Sequence, residues 1–235
     1  MHARYKDIKS IYIFAGVPES YPLGFPVDGI EQIPKLMKLT LDDVPEYLCP
    51  FDQLSRVVDE KGTALHFFRD DLTFQEILRV PNQYVEKFSH YKAVLTPDCS
   101  LTLGMSPSKR ARQTILSRAV GAVWQSRGLK VIPTIRWFDS SDYDLVCSGI
   151  SQNSVIAISS YGSERDPVLR KNFQDGALAT AQKLNPVAIL IYGSISEEFF
   201  RSMSKYAKII HFPSSTSTQQ SLTQTLDLQN VESLF

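Results

Sequence analysis

The sequence predicts an α/β protein built from parallel βα repeats, and three observations predict it. From residue 64 onward, short apolar runs recur, each followed by a polar turn and then a helical pattern. The runs Ala64–Phe68, Ala93–Thr96, Lys130–Ile135, Ser154–Ile158, Val187–Tyr192 and Lys208–Phe212 are continuous rather than alternating, as strands buried on both faces read. Their starts lie roughly 20 to 40 residues apart, enough for a helical crossover. Six such units suit a TIM-barrel-like fold, complete or incomplete, or an open doubly wound sheet. The barrel-like form is favoured, because polar residues follow nearly every strand and no Gly-rich nucleotide fingerprint follows the first.

The intervening helices can be read in order. The clearest opens with Ser106 as N-cap and Pro107 in the first helical position, carries Ala111, Ile115, Ala119, Val120 and Val123 at helical spacing, and stops at Gly128. A second covers Pro167 to Leu184 with Val168, Leu169, Phe173, Ala177, Leu178 and Ala181 inward, and a third covers Glu197 to Tyr206. Weaker patterns cover Thr73 to Phe88 and Ser140 to Val146. The chain divides into an irregular N-terminal layer (1–63), a βα-repeat domain (64–213) and a polar loop with a C-terminal tail (214–235). Six prolines between Pro18 and Pro50 break up the first part, where Ser10–Phe14 is a candidate strand, and Leu222–Phe235 could re-dock as a helix.

Lys plus Arg is 25 and Asp plus Glu is 25, so no global charge draws the chain to nucleic acid or membrane. With 43% apolar and 11% aromatic residues it is not a disordered, collagen-like or coiled-coil chain. No apolar run approaches the roughly 20 residues that span a bilayer, and Met1–Tyr12 has no secretory apolar core, so a cytoplasmic protein is expected. Cys49, Cys99 and Cys147 have no metal-binding spacing and read as reduced, buried thiols.

Both architectures place ligands at the carboxyl ends of parallel strands. Asp98, behind the rigid Val94–Pro97 exit, is the best candidate general base or metal ligand, against a turn-capping role. Arg136 and Trp137 offer a guanidinium fork and an aromatic face for a phosphate or carboxylate, against a structural ion pair of Arg136 with Asp98 or Asp139. Asp139 joins Asp98 and Arg136 as the catalytic set, while Ser100, Tyr161, Gly162, Tyr192, Gly193 and Ser194 are candidate ligand contacts. Asp70 and Asp71 with Asp98 could hold Mg²⁺, although paired aspartates at a helix start usually serve as caps. These residues suit a small anionic, phosphorylated or nucleotide-like ligand, and a hydrolase is one such enzyme.

No GxSxG, HExxH, P-loop or GxGxxG pattern is present, and His66 lies within a strand, where a core histidine is the plainer reading. From Cys99 to Phe138 there is no acidic residue, while seven Lys and Arg side chains accumulate. Lys109, Arg110, Arg112 and Arg118 would form a basic helix face able to touch nucleic-acid phosphates, against a solvated face balanced by the acidic 28–60 segment.

The elements Val94-Leu-Thr-Pro-Asp-Cys-Ser-Leu101, Trp124 to Trp137 with its Ile-Pro-Thr-Ile-Arg-Trp ending, Asn153–Ile158 and Ile191-Tyr-Gly193 resemble a family of bacterial, phage and mobile-element proteins known as domain of unknown function 4417. The resemblance covers roughly residues 60 to 200 and singles out Asp98, Ser100, Arg136, Trp137, Tyr192 and Gly193. It implies a cytoplasmic accessory protein of a phage or mobile element and brings no activity. Family members often carry Gly-Thr-His-Gly where this chain has Ser159-Ser-Tyr-Gly162, so no histidine role carries over. Three readings follow: an enzyme at the strand ends, a DNA- or partner-binding accessory protein using the basic helix, or a degenerate barrel kept as a scaffold.

Overall fold

The computed structural model describes residues 25–29, 31–163 and 166–214, with the backbone of 221–222. Ser10–Phe14 and most of the tail lie outside the described residues. A short antiparallel pair, β1 (Val27–Asp28) and β2 (Ile33–Pro34), precedes the main architecture. Then come β3 (Tyr47–Pro50), β4 (Thr63–His66), β5 (Ala93–Leu95), β6 (Val131–Ile132), β7 (Val155–Ser159), β8 (Ala188–Tyr192) and β9 (Lys208–Phe212). β3 to β6 pair in chain order as one parallel ladder and β7 to β9 as another. One parallel bridge, Thr134 to Ala157, joins them. β10 (Ser221–Leu222) pairs antiparallel with the outer edge of β3. A doubly wound sheet reverses its order at a switch point, whereas this order never reverses. Among the described residues β9 does not pair with β3, so no closed barrel forms.

Side-chain alternation explains the layers. Ala64, Ala93, Leu95, Ile132, Val155, Ala157, Ala188, Leu190, Ile210 and Phe212 point to one face and form a single cluster drawing on both ladders. Four of these are alanines, and small side chains on a shared face let a sheet bend toward it. Their neighbours Leu65, Val94 and Val131 face one cluster of helices, and Ile156, Ile158, Ile189, Ile191 and Ile209 face another. The bend is direct to observe. The ring of Tyr192 on β8 lies 4.6 Å from that of His66 on β4 and stacks at 5.0 Å on Phe68. Four strand spacings of a flat sheet would separate β4 from β8 by about 19 Å.

The helices are α1 (Gln75–Arg79), α2 (Val85–Phe88), α3 (Pro107–Ser126), α4 (Tyr143–Cys147), α5 (Pro167–Leu184) and α6 (Glu197–Met203). α3 starts where the sequence places it: the Ser106 hydroxyl accepts from the Lys109 amide, and Gly128 leaves the helix at φ +88°. Asp166 caps α5 by accepting from the Val168 and Leu169 amides.

Several expectations are corrected. Tyr47–Pro50, read within the irregular layer, is a strand; its flanking prolines and four-residue length hid it. The 73–88 pattern is not one helix but α1 and α2 separated by Pro81, which cannot donate its amide. The helix at Glu197 ends at Met203 rather than Tyr206. Val168, Leu169 and Leu178 are exposed instead of inward, because α5 buries a narrower stripe of Phe173, Gly176, Ala177, Thr180, Ala181 and Leu184. All three cysteines are free and buried.

Candidate functional site

Past β5, Pro97 carries the chain to Asp98, which is buried against α3. Past β6, the chain reaches Thr134 and then Arg136. Arg136 Nη1 donates to Asp98 Oδ2 at 3.0 Å, with the guanidinium about one third exposed at 36% and the carboxylate at 7%. Asp98 Oδ1 is buried and has no hydrogen-bond partner among the described residues. Burial raises the proton affinity of Asp98, Arg136 opposes this, and the negative charge of Asp71 adds to it. A buried carboxyl with one anchored oxygen and one unpartnered oxygen can hold or release a proton.

A cleft of about 250 Å³, counting solvent at its mouth, runs from this pair along α3. Pro97, Asp98, Cys99, Thr134, Arg136 and Val146 line it, opposite Gln113, Thr114, Ser117 and Arg118 of α3. Arg118 is 2% exposed. Its Nη1 donates to Thr134 O and its Nη2 to Val146 O, each at 2.9 Å. Arg118 Nε and Thr134 Oγ1 are both buried without a partner among the described residues. Burial lowers the guanidinium pKa to about 10. The placement corrects the expected basic face, on which Arg118 was to be exposed. It sits three residues after Ile115 and four before Ala122, on the buried side of α3, a spacing already visible in the sequence.

The rest of that basic face also changes. Arg110 Nε pairs with Asp142 at 3.0 Å, its Nη1 lies 3.6 Å from Asp139, and its guanidinium stands over the Phe138 ring. Lys109 and Arg112 remain exposed. Asp139, expected to be catalytic, accepts from the Ser141 amide at 2.9 Å and caps a short 3₁₀ turn, and the Ser141 hydroxyl lowers its pKa most.

Asp71 receives both the amide and the hydroxyl of Ser100, at 3.0 and 2.8 Å, tying the β4 and β5 exits together. Asp70 accepts from the Leu72 amide as an N-cap. The expected Mg²⁺ set does not assemble. Among the described residues no three His, Cys, Asp or Glu side chains gather as a metal site, and both Asp71 oxygens are already used. Trp137, expected to face a ligand, lies flat on α5 instead: its Nε1 donates to Asn172 O at 3.1 Å, and a Cβ on Gly176 would fall 2.1 Å from its ring. Glycine at 176 leaves the space that the indole fills.

At the other strand ends the polar groups bind one another. The Ser160 hydroxyl donates to Ser194 O at 2.7 Å, and His211 Nε2 lies 2.6 Å from Gly193 O. Gly193 adopts φ +110°, and a Cβ there would fall 2.4 Å from Ser160 Oγ. Tyr192 is half buried against His66 and Phe68, while Tyr161 and Gly162 are exposed beside it. His66, a core histidine, accepts from the Phe68 amide through Nδ1 at 3.2 Å, and burial pushes its pKa down to about 3. The Cys99 thiol is pushed far up by burial and by Asp71 and Asp98, which removes it as a nucleophile.

The sequence that builds this site matches a known family. The family model described as Domain of unknown function (DUF4417) matches residues 25–213. The chain belongs to this family. Its relatives include the Gene 1 protein of Mycobacterium phage L5, 34% identical over 157 residues, spanning 66% of this chain and 68% of that protein. A second is the Gene 1 protein of Mycobacterium phage D29, 31% identical over 173 residues, spanning 73% of this chain and 63% of that protein, just under two thirds of its length. No solved structure matches. Among the described residues no helix of this DUF4417 chain is long and apolar enough to cross a membrane.

Proposed function

We propose that this phage-related protein is an enzyme acting on a small phosphorylated or nucleotide-like molecule at the carboxyl ends of its parallel strands. In this reading the strands form an incomplete barrel, supported by their unreversed order, their shared inner cluster and the contact of Tyr192 with His66. Asp98 moves the proton and Arg136 holds the anionic group. The supporting observation is Asp98 itself, buried, anchored through Oδ2, with Oδ1 lacking a partner among the described residues, in the lining of a cleft that reaches solvent. Only groups of this chain enter the mechanism: Arg136 orients the anion, α3 walls off water on one side, and Asp98 exchanges the proton.

The test is a thermal-shift screen against nucleotides, sugar phosphates and divalent cations, with Asp98→Asn beside the native chain. A ligand that raises the native melting temperature and shifts Asp98→Asn less supports the reading. A blank screen on folded protein ends it. The DNA-binding reading now rests on the exposed Lys109, since Arg118 is buried and Arg110 is engaged by carboxylates. Salt-sensitive retention on DNA that Lys109→Glu abolishes would restore it.

A further inference from the structure

We propose that the cleft between the ends of β5 and β6 and helix α3 is a phosphate site, in which Arg118 supplies the inner charge and receives one phosphate oxygen. The proposal rests on the reading above only in placing an anionic ligand at these strand ends.

The starting point is an electrostatic imbalance. Arg118 is a buried guanidinium whose hydrogen bonds, among the described residues, go to two carbonyls and the Ser117 hydroxyl, with no carboxylate in its shell. An uncompensated buried charge is costly, so interiors hold one where a counter-charge arrives. Arg118 Nε and Thr134 Oγ1 both lack partners, and both residues line the same cleft. The cleft as a whole has room for one water-sized group, which is the size of a single phosphate oxygen. In this proposal the remaining oxygens stay on the solvent side, where Arg136 is partly exposed.

The donors fit this ligand class. A guanidinium edge presents fixed N–H groups suited to phosphate, and Thr134 and Gln113 add a hydroxyl and an amide at the wall. Asp98 is the one carboxyl in the lining. With Oδ2 held by Arg136, a proton on Oδ1 would let it donate to the anion rather than repel it, and its raised proton affinity agrees with that role. The same arrangement explains an arginine on the buried side of the most apolar stretch of α3.

The experiment measures inorganic phosphate binding to the full chain by calorimetry and thermal shift, against chloride at equal ionic strength. The native protein is expected to be stabilised by phosphate beyond chloride. Arg118→Met is expected to lose about tenfold or more in phosphate affinity, the loss of a charge-assisted hydrogen bond, while Arg118→Lys keeps part of it. Thr134→Val, nearly isosteric, should fold as the native chain and bind phosphate several-fold more weakly, which keeps the test decisive if Arg118→Met does not fold. Equal phosphate response in native and Thr134→Val or Arg118→Met protein, or no response in the native chain, overturns the site. Phosphate binding lost in Arg118→Met beside a blank nucleotide and sugar-phosphate screen would uphold the site and end the enzyme reading. Ligand binding that needs Arg136 and Asp98 but not Arg118 would do the reverse.

Discussion

The exits of β7, β8 and β9 and the exits of β5 and β6 are chemically alike in sequence and opposite in structure. At the first, Ser160, Gly193, Ser194 and His211 bond to one another and to local backbone. At the second, Asp98 and Thr134 each keep one buried oxygen without a partner, beside an arginine in the same condition. Buried polar atoms are normally satisfied, so a mutually satisfied set reads as closure of the fold and an unsatisfied set facing a cleft reads as a place for a ligand. Serines, glycines and tyrosines after strands are therefore poor guides to function until their partners are known.

The comparison breaks most readily at Gly193. Its positive φ and the 2.4 Å approach of Ser160 Oγ predict that Gly193→Ala costs about 3 kcal/mol, from strain and overpacking together. Urea unfolding measures this, and a cost below about 1 kcal/mol would mean that the β7–β9 exits are not a rigid closure.

At the other exit, Arg136→Ala should cost about 2 kcal/mol at neutral pH by leaving Asp98 buried without its cation. The sign with pH follows from Asp98. A carboxyl whose folded pKa is raised favours the folded state while protonated and loses that advantage as pH rises above its unfolded value near 3.8. Arg136 opposes the rise, so its removal enlarges it, and the penalty should be smaller at pH 4 than at pH 8. A pH-independent penalty would show that Arg136 acts through packing alone.

The smallest effect is expected at Ser100→Ala, about 1 kcal/mol, because it removes one exit-to-exit hydrogen bond while the Ser100 amide still reaches Asp71. If ligand binding also fell, Ser100 would be a ligand contact as well as a strap between the two exits.

Legibility in the sequence followed range. α3 and α5 were visible with their starts, since a Ser or Asp cap and a proline in the first position act within one turn. The strand runs were visible because burial on both faces demands uninterrupted apolar residues, while β3 was too short and too closely framed by proline to register. At the site, Asp98 and Arg136 were named together as an ion pair among the alternatives, and they form one. Asp139, Trp137 and Ser100 were named for chemistry but serve as a cap, a helix-packing indole and a strap. Arg118 was assigned to solvent because a charged residue is seldom fully buried.

By itself the sequence determined the repeating βα order, the Ser106 cap of α3 and the family, because each is written in short runs and motifs of residues a few positions apart. Only the tertiary structure decided which way the sheet bends and which polar groups at its ends meet. Those outcomes depend on partners such as Asp98 and Arg136, 38 residues apart, or Ser160 and Ser194, 34 apart. Whether a given Asp, Ser or Arg is spent on the fold or left open to a ligand is set by such distant contacts, and no local pattern encodes them.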